Sequence, residues 1–437
     1  MSVASRRRAR VLRRRRMRGP SPPARSAPSG GEPGAIRWLL GHGEMWGFIA
    51  TTACVEFTRG ALFISLLPAY LTQGLSMSVA VLGVVVSVQY LADTLLKIPT
   101  GWLVDRFGTW RVLAPMLSLT AVAVYLLPRA HGELAFVLLA ILFGAGSSAN
   151  WPAVLSGSVQ LGGMENRASA SSTVFLAWLA GGGLGPVLIN FLVTRDFHAA
   201  FLLVGIVATG APVAAFAGLL HALRTRRPIP RPAEAPRAPA AVLATVRRTA
   251  WLIPGMFVQM LALGIVLPVM VPFARQVLHL SQSQYGLMLL AGGAVTVLCL
   301  IPLGRVVDRV GSKALLVAGF LLAAVAVLLL AMAHGEGDLL WRAALLGFAY
   351  ALILPAWNGL TVGKIESEQR GLLLGVFMAI EGLGIALGPL IGGALYTWRV
   401  RAPFVTCGAI LAAIAIFYAM VAADHFHARE GADAGAS

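Results

Sequence analysis

Between Asp93 and Arg111 the chain reads DTLLKIPTGWLVDRFGTWR, an apolar helical run that carries charge inside it and ends in a tight basic turn. A second version of the turn, IPLGRVVDRVGSK, runs from Ile301 to Lys313. In both, a Pro stands two residues before a Gly, the Gly stands four before an Asp-Arg pair, and a further Gly and a basic residue follow. The pairs Pro99/Pro302, Gly101/Gly304, Asp105/Asp308, Arg106/Arg309 and Gly108/Gly311 are each 203 residues apart.

The same offset recurs away from the turn. Leu82-Gly83 corresponds to Tyr285-Gly286, Pro152-Ala153 to Pro355-Ala356, and Glu165 with Arg167 to Glu368 with Arg370. Gly185-Pro186 corresponds to Gly388-Pro389, and Phe201 to Phe404. One register held without a gap over this length implies a duplicated unit, and parallel repeats of this kind place a binding site near the membrane midplane between the two copies.

Composition says what the unit is made of. The 437 residues are 58% hydrophobic and 12% charged, with a mean hydropathy of +0.79. Soluble domains average about 45–50% apolar and 25% charged. Apolar runs of the length needed to span a bilayer recur throughout, without the alternation of barrel strands. Twelve candidate spans follow, at roughly 45–72, 79–104, 112–129, 134–162, 168–193 and 198–221, then 250–274, 284–307, 314–333, 339–363, 371–397 and 403–423. The expected class is an all-α membrane protein of two pseudo-symmetric six-helix halves, 45–221 and 250–423. A basic disordered tail (1–44), a Pro-rich basic linker (222–249) and a short tail (424–437) complete the chain.

The net charge of +17 does not point to nucleic acid, because of where it lies. With the N-terminus inside, the inner segments hold 27 Lys or Arg and the outer ones 6, namely Arg129, Arg195, Arg275, Arg342, Arg399 and Arg401. By the positive-inside rule both termini are cytoplasmic, in a multi-pass protein of the cytoplasmic membrane. The N-terminal tail lacks the apolar segment and cleavage site of a signal peptide. Cys54, Cys299 and Cys407 sit in apolar runs without metal-ligand or disulfide spacing, so no metal and no cofactor is expected.

Charge inside a span costs at least about 2.5–3.5 kcal/mol and marks function by default. The first span holds Glu56 and Arg59, one turn apart on one face; the second holds Asp93 and Lys97, with Gln89 a turn earlier. The positions 203 residues on from Glu56, Arg59, Asp93 and Lys97 are Gln259, Ala262, Thr296 and Leu300, so this set belongs to the first half alone. Trp151 and Trp178 add aromatic faces at mid-span in the same half, with Asn150 and Asn190 as further polar candidates. In the second half Trp178 corresponds to Glu381, a mid-depth acid with Trp357 and Asn358 nearby, which makes Glu381 a candidate proton carrier beside Glu56 and Asp93. A cavity polar on one wall and apolar on the other suits an amphiphile.

These motifs carry a resemblance. GWLVDRFGTWR and GRVVDRVGSK resemble the loop signature that the major facilitator superfamily carries between its second and third helices and again between its eighth and ninth. The run Gly384-x-x-x-Gly388-Pro389-x-x-Gly392-Gly393 is similar to the superfamily's Gly/Pro packing motif of exporters, found there in the fifth helix. Here the fifth helix has a partial version through Gly185 and Pro186, with Asn190 where a Gly would stand. The resemblance implies that Gly101, Asp105, Arg106, Gly108 and Arg111, with Gly304, Asp308, Arg309, Gly311 and Lys313, control switching between conformations. Asp105 would latch the outward-open state against the start of the eleventh helix. The set Glu56, Arg59, Asp93, Trp151 and Trp178 resembles the headgroup pocket of proton-coupled glycolipid flippases of lipoteichoic-acid synthesis. The expected partners are then protons, the bilayer and an amphiphilic or lipid substrate, for a monomer working by alternating access.

Two alternatives stay open on residues alone: a multidrug proton antiporter, although Ala140 stands where such antiporters carry an Arg four residues before Gly144, and a non-transporting receptor or scaffold on the same fold. An enzyme is disfavoured by the lack of HExxH, Walker, GxSxG or His/Cys constellations.

Overall fold

A computed structural model describes residues 42–193, 196–225, 247, 249–363 and 370–421, with the side chains of 163–168, 225, 308 and 361–374 outside that description. The tails, most of the linker and the Glu165/Arg167 and Glu368/Arg370 correspondences fall on the omitted portions. Every regular element among the described residues is helical, and twelve helices are long and apolar enough to cross a membrane. We label them α1 (Gly43–Gly74), α2 (Val79–Phe107), α3 (Thr109–Arg129), α4 (Glu133–Gly162), α5 (Ser169–Val193), α6 (Phe197–Arg224), α7 (Ala250–Gln276), α8 (Gln282–Val307), α9 (Ser312–Ala331), α10 (Glu336–Leu360), α11 (Gly375–Trp398) and α12 (Ala402–Met420).

From Gly47 onward the described residues form one compact unit. Local rules set the helix ends. Ser78 caps α2 by accepting from the Val81 N–H, and Ser281 caps α8 in a reciprocal capping box with Gln284. Helix α2 and the helix Gln282–Val310 that contains α8 both stop at a Gly with nearly identical backbone angles, Gly108 at φ 92°, ψ 151° and Gly311 at φ 93°, ψ 149°. That region is essentially closed to residues with a Cβ, which is the physical reason the duplicated turn needs Gly at the eighth position of the motif in both copies. Trp151 and Trp178 lie 27 positions apart, about 40 Å along a straight helix. Their rings sit 6.4 Å apart, so the chain reverses between α4 and α5.

Helix pairing repeats with the sequence. The first half packs α1 on α5, α2 on α4, α3 on α6 and α3 on α4; the second packs α7 on α11, α8 on α10, α9 on α12 and α9 on α10. Two seams join the halves, α2 against α11 and α5 against α8. The 203-residue offset relates them. In the first seam a Cβ on Gly393 would lie 2.7 Å from the Val79 carbonyl oxygen, and one on Gly83 would strike the Pro389 carbonyl, so the backbones touch. The equivalents of Gly393 and Val79 in the second seam are Asn190 and Gln282. There a buried hydrogen bond replaces backbone contact: Gln282 Nε2 donates to Asn190 Oδ1 at 2.6 Å. Asn190 Nδ2 donates in turn to Ser65 Oγ at 2.9 Å and the Pro186 carbonyl at 2.7 Å.

Both seams are tight at the face carrying the 74–79 and 276–282 connections. At the opposite face, where Gly108 and Gly311 make their turns, the second seam widens into a cavity of about 1080 Å³ lined by Phe175 of α5 and by Leu300, Val307, Lys313, Leu354 and Asn358 among others.

Candidate functional site

Three helices of the first half bring the buried charges together. On α1, Glu56 and Arg59 lie on one face; after Gly60 the helix widens into a π-helical run, Ala61–Leu66, and a second such run follows at Tyr70–Gly74. On α2, Asp93 and Lys97 are spaced i, i+4. Helix α4 comes close because Gly144 packs on the Gln89 carbonyl of α2, where any side chain would clash. One turn further along α4, Ser147 then reaches the Asp93 carboxylate.

The result is one connected network. Arg59 Nη1 donates to Glu56 Oε1 at 3.3 Å, and Nη2 donates to Asp93 Oδ1 at 3.0 Å and to Ser147 Oγ at 3.1 Å. Ser147 Oγ donates to Asp93 Oδ1 at 3.2 Å, and Lys97 Nζ meets Asp93 Oδ2 at 2.7 Å. Glu56 and Asp93 are buried, whereas the Arg59 and Lys97 side chains stay 16% and 23% exposed, so the cations are the members a solute can reach. Two carboxylates against two cations leave the cluster neutral, the condition under which ions tolerate burial. The planar fork of Arg59 spans both acids, which a lysine ammonium cannot do in the same geometry.

Beside the cluster lies unspent polar capacity. Gln89 and Asn150 are fully buried, and among the described residues neither the amide nitrogen nor the amide oxygen of either side chain has a hydrogen-bond partner. Buried amides in that state call for a water or a ligand. Trp151, one turn beyond Ser147, meets Trp178 edge to face, and Trp178 meets Phe175 with centroids 5.1 Å apart. Phe175 lines the cavity described above, so an aromatic file leads from α4 to that cavity.

The other sequence-derived candidates fall in different places. Glu381 on α11 accepts from Gln259 Nε2 at 3.4 Å, with the Trp357 indole facing the same carboxylate. Gly185, Gly384, Gly388 and Gly392 pack against the backbones at Phe57, Phe257, Gly264 and Ile265 respectively, while Pro186 and Pro389 lie on the α1 and α7 contacts. Gly101 and Gly304 have no atom within 4 Å of where a Cβ would sit, so neither makes a close helix approach in this conformation. Asp105 is exposed, and among the described residues no hydrogen bond or ion pair reaches it. Arg106 lies over the Trp102 and Phe107 rings at 5.2 and 5.6 Å, and Arg111 and Arg309 are exposed. Lys313 caps α12, its Nζ donating to the Val421 carbonyl at 2.5 Å. The side chain of Asp308 lies outside the described residues. Asn190 belongs to the α5/α8 seam and not to the charged cluster. Ser147 is the member that sequence reasoning missed; the small-residue run Gly144-Ala145-Gly146-Ser147-Ser148 was the available signal for a close α2/α4 crossing.

Comparison with known proteins agrees with this architecture. The Major Facilitator Superfamily profile matches residues 49–263 and 252–435. The chain is similar to the proton-coupled antiporter flippase LtaA of Staphylococcus epidermidis, 26% identical over 377 residues that cover 83% of this chain and 91% of that protein. The LtaA of Staphylococcus aureus is 25% identical over 374 residues, with coverage of 83% and 91%. Among solved structures, the nucleoside transporter NupG superposes with a TM-score of 0.68 at 15% identity, covering 86% of this chain and 98% of its own. The human organic anion transporter MFSD10 gives 0.60 at 18% identity, covering 87% and 99%. Identities this low speak to the fold. With the family profile matched across both halves and twelve membrane-length helices in place, this chain belongs to the major facilitator superfamily.

Proposed function

We propose that this transporter is proton-coupled and moves an amphiphile with a polar, sugar-like headgroup across the cytoplasmic membrane by alternating access. The observation that carries the reading is the neutral, buried Glu56–Arg59–Asp93–Lys97 network confined to one half, together with a mostly apolar cavity walled chiefly by the other. Headgroup hydroxyls would exchange hydrogen bonds with Arg59, Lys97, Gln89 and Asn150, and Trp151 and Trp178 would present ring faces to the sugar. The apolar remainder of the substrate would occupy the cavity beside Phe175 and Leu300. The relatives' own description as proton-coupled antiporter flippases supports both the coupling and the lipid class.

Within this reading the halves are 45–221 and 250–423, joined by a cytoplasmic linker, and both termini are cytoplasmic by the Lys/Arg bias. The Gly108 and Gly311 turns would then mark the cytoplasmic face, and the cavity beside Gly311, with both seams tight at the opposite face, supports reading this conformation as inward-open. The exposed Asp105 fits a switching residue whose partner is met in the opposite state. A single copy holds all the parts named, which suits a monomer.

The test is transport by purified protein in proteoliposomes, using a fluorescent diglycosyl diacylglycerol and an imposed pH gradient. Gradient-driven flipping that is lost in Arg59→Gln and Asp93→Asn, while both variants remain monodisperse and inserted, is the expected result. Full activity of these variants would refute the site. Transport of cationic dyes with no glycolipid movement would favour multidrug efflux instead.

A further inference from the structure

The repeat that relates the two seams also isolates an unusual pair. On α2 and α11, Lys97 and Glu381 correspond under the 203-residue offset to Leu300 on α8 and Trp178 on α5. The α5/α8 seam therefore carries two apolar side chains where the α2/α11 seam carries a cation and an acid. Nothing in the duplicated fold demands charge at these positions, since the equivalent seam does without it.

Geometry places the two groups within each other's influence. Helix α2 crosses α11 where Thr94 packs on Gly382, a contact so close that a Cβ on Gly382 would overlap the Thr94 hydroxyl. Lys97 lies about one turn beyond Thr94, and Glu381 adjoins Gly382. Lys97 and Glu381 thus stand on facing helices, each within about one turn of that contact. At the same time Lys97 holds Asp93 Oδ2 at 2.7 Å on its own helix. Its side chain is 23% exposed and its stem has four rotatable carbons, so moving between two carboxylates needs no backbone change.

The surroundings leave Glu381 dependent on that one cation. From α7 it is faced by Gln259, through a long 3.4 Å hydrogen bond, and from α10 by Trp357 and Tyr350. Helix α12, Ala402–Met420, carries no charged residue. From α2 comes Lys97, behind which stand Asp93, Tyr90, Glu56 and Arg59 in the network already described. Asp93 has a second cation in Arg59; Glu381 has no other among the described residues.

We propose that Lys97 is shared between Asp93 and Glu381, so that the proton on Glu381 decides whether the ammonium bridges the two halves. With Glu381 ionised, Lys97 is drawn across the seam and the Gly108-side ends of α2 and α11 close together. A proton taken up by the Glu381 carboxylate from the outer solution removes the attraction, Lys97 returns to Asp93, and that face opens and lets the proton leave inward. The structure has Lys97 on Asp93, a cavity at the Gly311 end of the α5/α8 seam, and no atom within 4 Å of where a Cβ on Gly101 or Gly375 would sit, the arrangement assigned to the protonated state. The direction is the one an antiporter needs, since the proton-loaded carrier must return inward. This rests on the proton-coupled reading above and names the residues that perform the coupling.

The experiment measures conformation directly, with no substrate required. In a variant with Cys54, Cys299 and Cys407 replaced by Ser, spin labels at Phe107→Cys on α2 and Gly375→Cys on α11 report the width of the Gly108 face by pulsed electron-electron distance measurement in nanodiscs. The parent should shift from long to short distances as pH rises, the population ratio changing by about fivefold or more. Glu381→Gln should hold the long distance at every pH, Lys97→Met should abolish the pH response, and Lys97→Arg should retain it. A pH response in Glu381→Gln or Lys97→Met equal to that of the parent would overturn the proposal, as would a parent with no response. Parallel flipping of the fluorescent diglycosyl lipid separates the two readings. If the parent fails to flip it while its pH response depends on both residues, the substrate reading fails and the shared lysine stands. If the parent flips it and both variants flip it at the parent's gradient-driven rate, the shared lysine fails and the substrate reading stands.

Discussion

The Asn190–Gln282 bond gives a sharp prediction because the repeat supplies its own control. Replacing Asn190 by Leu keeps the branched shape of the side chain and removes an acceptor bonded at 2.6 Å and a donor that serves both Ser65 and the Pro186 carbonyl. Gln282 is 3% exposed, and its Oε1 already lacks a partner among the described residues, so the substitution leaves that amide unpaired at both ends. A buried polar group stranded in this way costs about 1–3 kcal/mol. Opening the seam returns the amide to water, so the penalty falls on the closed state alone. The open population of the seam should therefore rise about 5–150-fold, since each 1.4 kcal/mol is about tenfold. The assay is the rate at which a Cys introduced at Val79, on the same face and buried in the companion seam, reacts with a membrane-impermeant maleimide added from outside. Asn190→Leu should speed labelling by that factor. Asn190→Leu combined with Gln282→Leu should return most of the way to the parent rate, because removing both partners leaves nothing stranded. Unchanged labelling in the single variant, or a double variant as open as the single, would refute the reasoning.

Three further outcomes follow from particular contacts. Arg59→Met leaves Glu56 and Asp93 buried with Lys97 as the remaining cation of the cluster, and should lower stability by about 3–5 kcal/mol in thermal or denaturant unfolding in detergent; Arg59→Lys should recover little, because one ammonium cannot replace the fork. Gly144→Val drives a side chain into the Gln89 carbonyl and the Asp93 amide, so α4 must retreat from α2; about 1–3 kcal/mol of destabilisation should appear together with loss of transport, and wild-type activity would show that the Ser147–Asp93 contact is dispensable. Gly108→Ala and Gly311→Ala each force a Cβ into a backbone region reserved for Gly, at about 1–3 kcal/mol apiece, with similar shifts in midpoint expected for the two because their angles agree within a few degrees.

Hydropathy and the 203-residue offset were enough to read the twelve helices and their duplication, because span length and turn chemistry are local properties. The charged cluster was legible for the same reason: an ion inside an apolar run is visible without knowing its partner, and the i, i+3 and i, i+4 spacings of Glu56/Arg59 and Asp93/Lys97 already put each pair on one face. What the sequence could not show was which faces meet. Ser147 is an ordinary small residue until Gly144 is seen to bring α4 onto α2. Asn190 reads as a polar candidate for substrate until α8 is seen to place Gln282 against it. The π-helical runs Ala61–Leu66 and Tyr70–Gly74 leave no mark in residue propensity, since a widened turn is set by what the helix packs on, here α5 through Ser65 and Pro186. Lys313 reads as part of the switching loop, and the structure shows that its ammonium also closes the end of α12.

In the proposed cycle a neutral ion network in one half recognises a polar headgroup while protons drive transport. The most direct measurement is gradient-driven flipping of a fluorescent diglycosyl diacylglycerol in proteoliposomes by the parent, Arg59→Gln and Asp93→Asn, with insertion and orientation matched. Flipping by the parent should collapse with the pH gradient, and neither variant should flip above the protein-free background. Equal, gradient-independent rates in all three would contradict that cycle.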